Sequence, residues 1–181
     1  MRKIILLLVV AGLFVQCKKE NNYLLAKEQI GEITSTTQVH ELKSIFEKDS
    51  LVSHLGEGDF ADSSYDEYLV YMKEAGHVFT IIPKEQHDST SVIESIQVFG
   101  KKYKTVTGLG ISSTFKDISG NYTVNKVEST FTSAVLFVDE LNATITIDKK
   151  ELGINDFGTQ KISLAQIPDL AKIKALTFWF D

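Results

Sequence analysis

From Tyr68 onward the chain keeps returning to one pattern: five to eight residues rich in β-branched and aromatic side chains, then a short turn. Tyr68 to Met72, His77 to Ile82, Val92 to Phe99, Tyr103 to Thr107, Tyr122 to Val127, Phe131 to Val138, Ala143 to Ile147 and Leu176 to Phe180 all read this way. Such runs predict strands. Lys73-Glu74-Ala75-Gly76 and Asp139 to Asn142 are short enough to be hairpin turns, so the sheet is expected to be largely antiparallel.

Helical periodicity interrupts this pattern in three places. Thr37 is expected to cap a helix with Val39, Leu42, Ile45 and Phe46 on one face, running to about Lys48. Ser113 or Thr114 caps a shorter one with Phe115 and Ile118 inward, stopped by Gly120 where a left-handed residue is cheap. Pro168 suits a first helical position and opens a third turn carrying Leu170 and Ile173. The fold class expected is therefore α+β: a mostly antiparallel β-sheet with two or three short helices packed on it. Thr37-x-Val39-x-x-Leu42-x-x-x-Phe46 and Ser113-x-Phe115-x-x-Ile118-x-x-x-Tyr122 share a spacing at an offset of 76 residues. That is either a diverged duplication or what any amphipathic helix looks like, and so few fixed letters favour the second reading.

The N-terminus speaks about address. Arg2 and Lys3 precede an unbroken apolar run from Ile4 to Val15, which ends at Gln16, Cys17 and the charged Lys18-Lys19-Glu20. A spanning helix needs ~20 apolar residues, and a run this short behind a basic start predicts a signal peptide over 1–16. Phe14-Val15-Gln16-Cys17 resembles the lipobox of bacterial lipoproteins, in which the cysteine receives a diacylglyceryl group before cleavage. Gln16 and Phe14 stand where that motif usually has a small residue and Leu, positions that Bacteroidetes lipoproteins relax. The resemblance implies lipidation of Cys17, a palmitate-bearing membrane anchor and a place in the cell envelope, facing the periplasm or the cell surface. Lys19-Glu20-Asn21 is similar to the export signal after the cysteine in surface lipoproteins of that group, with a single acid.

Removal of the leader leaves 17 of the 19 basic side chains against all 24 acidic ones, a net charge of −7. That balance disfavours nucleic acid, which is not an expected partner. Cys17 is the only cysteine, so the folded part has no disulfide and no thiolate metal site. Residues 17–22 read as the lipidated cysteine and a polar tether, and 23–181, with no Pro-, Gly- or Ser-rich linker, as one strand-rich domain. Tyr103-Lys104-Thr105, Gly108-Leu109-Gly110-Ile111-Ser112-Ser113-Thr114, Tyr122 and the closing Gln166-Ile167-Pro168-Asp169-x-Ala171-Lys172-Ile173 resemble a group of small Bacteroidetes cell-envelope lipoproteins of unknown function. The likeness covers the C-terminal half and rests on turn and cap residues, so it implies location and fold class and no catalytic residue. The layout is also similar to β-lactamase-inhibitor-like envelope modules, at the level of fold only.

No motif nominates a nucleophile or a metal. Gly108-Leu109-Gly110 before a capped helix invites a phosphate loop, but a dinucleotide fingerprint would need glycine at Ser113 and a P-loop would need Gly-Lys-Ser/Thr. His40, His54, His77 and His87 are scattered without metal-ligand spacing. Glu57, Asp59, Asp62, Asp66 and Glu67 form an acidic stretch with Phe60 and Tyr65. Its carboxylates lack the alternate spacing of a calcium loop. A solvated loop is expected, with partner binding as the alternative. Asp49-Ser50-Leu51 and Asp88-Ser89-Thr90 resemble the Bacteroidetes O-glycosylation sequon in expected loops. Phe178-Trp179-Phe180 reads as a core strand with Trp179 under a helix; the alternative is an aromatic platform for sugar or peptide. The reading is a lipid-anchored envelope protein, a non-catalytic binding or structural module with a protein or glycan partner and no cofactor. An enzyme inhibitor that presents the acidic loop is the alternative, then an enzyme acting on carbohydrate or peptide.

Overall fold

The computed structural model describes residues 22–56, 65–154, 158 and 160–180. Three two-residue strands, β1 (Leu25–Ala26), β2 (Gln29–Ile30) and β3 (Ile33–Thr34), make a small antiparallel sheet. A 3₁₀ turn over Val39–Glu41 runs into the single-turn α1 (Leu42–Ile45). Four strands follow: β4 (Ser50–His54), β5 (Glu67–Met72), β6 (Gly76–Pro83) and β7 (Ile93–Val98). The second half opens with α2 (Phe115–Ser119) and continues through β8 (Lys126–Ser129), β9 (Ser133–Val138), β10 (Ala143–Asp148) and β11 (Ile173–Trp179). Among the described residues, β4 to β11 pair antiparallel in the order β4-β5-β6-β7-β11-β10-β9-β8. The protein is thus a mostly antiparallel sheet with a few short helices.

Alternation along the strands sorts their side chains onto two faces. Val70, Phe79, Ile81, Ile96, Val98, Leu176, Phe178, Ile145 and Leu136 lie on one of them and are all but fully buried, in one cluster with Leu42, Phe46, Phe115 and Ile118 from the helical segments. Each large aliphatic or aromatic side chain buried there contributes roughly 1.5–3 kcal/mol. The opposite face carries a polar row, Thr80, Gln97, Thr177 and Thr144, aligned by register across four neighbouring strands.

The two halves share a set of hydrogen bonds at equivalent positions, so the 76-residue offset is more than a shared amphipathic spacing. Thr34 N–H donates to Thr37 Oγ1 and Gly110 N–H to Ser113 Oγ, at 2.9 and 3.1 Å. Gln38 N–H donates to Glu41 Oε2 and Thr114 N–H to Asp117 Oδ2, at 2.7 and 2.8 Å. Phe46 N–H reaches Leu42 O and Tyr122 N–H reaches Ile118 O, both at 2.9 Å. Each helix start also takes two carbonyls from the loop before the last strand of its own half. Val39 and His40 use Ser91 and Ser89; Phe115 and Lys116 use Ala171 and Asp169. The register of β6 with β7 slips between Ile82 and Pro83, and that of β10 with β11 between Thr146 and Ile147, at equivalent points. A pseudo-twofold axis passes between Gln97 and Thr177, where the halves join.

Several expectations are corrected. Thr37 does not cap the first helix: its hydroxyl is taken by Thr34 N–H, Gln38 is the N-cap, and the α-helical turn ends at Ile45 instead of Lys48. Gly120 ends α2 with φ −79°, a right-handed cap. Pro168 opens a hydrogen-bonded turn closed by Ala171 N–H, because its carbonyls are committed to α2; Leu170 is 76% exposed, and Ile173 belongs to β11. Tyr103 to Thr107 is no strand, since Thr105 bonds back to Leu109 and Gly108 and closes a tight loop. Tyr122 to Val127 yields a strand only from Lys126.

Candidate functional site

Trp179 stands on the face of the sheet opposite the core. It follows the buried Phe178 on β11, so alternation turns its indole to the opposite face of the sheet, where 38% of the residue is exposed. Among the described residues no helix covers it, because α1 and α2 pack into the core with Phe178; the expectation of Trp179 under a helix is overturned. Its Nε1–H donates to Thr144 Oγ1 on the adjacent β10 at 3.2 Å, which pins the ring across the sheet. Asn142, with φ +47° in the β9–β10 turn, donates its side-chain amide to Trp179 O at 2.8 Å and holds the strand end in place.

A groove of about 600 Å³ opens around this ring. Its apolar walls are Trp179, Phe137 and Val135; Thr144, Asn142, Asp139, Lys84 and Glu94 supply polar groups. The volume lies within the ~300–1,000 Å³ of small-molecule sites. Lys84 and Glu94 come from the ends of β6 and β7, Phe137 and Thr144 from facing positions on β9 and β10. Sequence reasoning named Trp179 and missed the others, because strand pairing alone brings 84, 94, 137 and 144 together. The alternation of Val135 and Phe137 with the buried Leu136 and Val138 was the one local sign.

Cys17, Glu57, Asp59, Phe60 and Asp62 lie outside the described residues. Tyr65 is exposed and Glu67 begins β5, with its carboxylate 3.2 Å from His54 Nδ1. Asp66 is not part of a solvated loop. It is 1% exposed, and its carboxylate accepts Gly56 N–H at 2.9 Å and His87 N–H at 2.6 Å, tying two chain segments together. Ser50 is exposed at the start of edge strand β4, not in a loop. Ser89 is exposed in the β6–β7 turn, its carbonyl accepting His40 N–H. His77 stacks between Tyr71 and Phe99, with ring centroids 5.0 and 4.4 Å apart. Among the described residues no three His, Cys, Asp or Glu side chains converge as a metal site. Gly108-Leu109-Gly110 is a structural turn: Gly108 has φ +90°, and a Cβ on Gly110 would come within 2.6 Å of Tyr103 O.

No protein-family model matches the chain, and no curated protein is significantly similar to it. Among solved structures it is similar to the uncharacterised protein yfeY from Escherichia coli, with a TM-score of 0.53 and 14% identity, over 86% of this chain and 99% of that one. At that identity the likeness is one of fold.

Proposed function

We propose that the protein is a lipid-anchored component of a bacterial cell envelope, held at the membrane through Cys17, and that it acts as a non-catalytic binding module through the groove over Trp179. The groove carries this reading. An exposed, hydrogen-bonded indole beside Phe137, ringed by polar side chains of both signs, is a surface for recognition. The anchor rests on the sequence: a basic start, a short apolar run and a single cysteine at its end.

The test combines both parts in living cells. The full-length chain carrying a photo-crosslinking benzoylphenylalanine in place of Phe137 is produced beside its Cys17→Ser variant, with a palmitate analogue as label. Expected are label on the first, none on the second, and a light-dependent adduct in the envelope fraction. An unlabelled wild-type chain would overturn the anchor; labelled protein without any adduct would overturn the groove as its binding site.

A further inference from the structure

The internal repeat offers a comparison for the groove over Trp179. Equivalence of β7 with β11 places Phe99 at the position of Trp179, and equivalence of β6 with β10 places Thr80 at that of Thr144. In the first half this place is filled. His77 lies on the Phe99 ring at 4.4 Å and 28°, with Nε2 3.1 Å from Thr80 Oγ1, and Tyr71 stacks on its other side. Those two rings belong to a hairpin with eight residues between the paired Val70 and Phe79. The equivalent hairpin has four, between the paired Val138 and Ala143, and supplies no ring to cover Trp179. The charges differ likewise. Asp148 and Lys174 close a 3.2 Å ion pair in one half, whereas Lys84 and Glu94, at the equivalent positions, form no ion pair and flank the groove.

We propose that the groove is a carbohydrate site in which a pyranose ring stacks on Trp179 as His77 stacks on Phe99, with neighbouring sugar units reaching Lys84 and Glu94. The inference rests on the groove being the binding site. Three observations select the ligand class. The floor is made of β9, β10 and β11, interior strands whose backbone is spent on their neighbours, so a peptide finds no edge to pair with. Lysine, carboxylate and amide groups around the rim suit hydroxyls, which donate and accept, and are wasted on an alkyl chain. The space exceeds one ring, which points to an oligosaccharide.

Trp179 is the only tryptophan, so its emission reports this site alone. The full-length protein in detergent micelles is titrated with chitotetraose, cellotetraose, maltotetraose and mannotetraose, and with the peptide Gly-Gly-Tyr-Gly-Gly, each up to about 10 mM. Expected is a saturable shift of emission with at least one tetrasaccharide and at least tenfold weaker binding of its monosaccharide. Calorimetry should show at least tenfold loss in Trp179→Ala and in Glu94→Gln, both at exposed positions, and retention in Trp179→Phe. Silence with all four sugars overturns the proposal, as does a response to the peptide alone or undiminished binding in Trp179→Ala. A protein adduct at position 137 in cells, combined with silence toward sugars, would remove the ligand class and leave the binding module standing.

Discussion

Tyr103 shows how much a single side chain can organise. It is 4% exposed, its ring stands edge-on to Phe79 at 4.5 Å and to Tyr23 at 5.2 Å, Gly100 lies against the ring and Gly110 against its backbone carbonyl. A methyl on Gly110 would meet the Tyr103 carbonyl at 2.6 Å, and backbone cannot swing aside as a flexible side chain can. Gly110→Ala is therefore expected to cost about 1–3 kcal/mol in urea unfolding, with an unchanged m-value. Burial also raises the Tyr103 hydroxyl pKa above its ordinary 10.0, with Tyr23, Asp49 and Glu32 adding to the shift. The neutral phenol is the form the fold favours. Its contribution is fully present below pH 10 and is lost as pH climbs toward the raised folded-state value. Stability should fall above pH 10 by up to about 1.4 kcal/mol per pH unit, and Tyr103→Phe should flatten that limb. An equally steep limb in the variant would place the effect elsewhere, Tyr68 being the next tyrosine with a raised pKa. Asp66 accepts two backbone N–H groups while 1% exposed. Asp66→Ala leaves those donors without their acceptor and is expected to cost about 1–3 kcal/mol or more by the same unfolding measurement.

At the scale of elements, the helices are short because their ends are decided from outside. α2 has five residues, and both hydroxyl and N–H of Thr114 donate to Asp117 Oδ2 in a capping box. Those two bonds hold the Asp117 carboxyl below the usual carboxylate range. This contribution is present above the unfolded carboxyl's pKa and disappears as pH falls through the lower folded value. Thr114→Ala removes the hydroxyl side of the box and is expected to lower stability by about 1 kcal/mol in thermal unfolding. The sheet edges differ in their protection. β8 carries the Lys126–Glu128 ion pair on the outer face, whereas β4 reads Ser-Leu-Val-Ser-His with no Lys or Pro. β4 escaped the sequence reading for a related reason: its alternation is weak and its side chains are mostly exposed, so no apolar period announces it.

Among the described residues the eight-stranded sheet and its helices form two helix-and-meander halves joined through β7 and β11, beside the small sheet of β1 to β3. Core side chains from both halves form a single cluster, so neither half can open without exposing the other. Thermal unfolding followed by far-ultraviolet circular dichroism, which reports both halves, and by Trp179 fluorescence, which reports the second, should give one coincident transition. Two separated midpoints would mean that the halves melt independently.

What the sequence by itself determined was the strand-rich class, the two main hairpin turns and the inward placing of Phe115 and Ile118, all of which follow from local periodicity and turn chemistry. The repeat was half legible, as a spacing of cap and apolar residues at 76. It became unmistakable only when the same backbone groups bonded to the same partners. The groove belongs wholly to tertiary structure. Trp179 alternates outward by its own strand period. Whether that face is covered was decided elsewhere, by a second hairpin four residues shorter than the first, and by helices committed to the other side of the sheet.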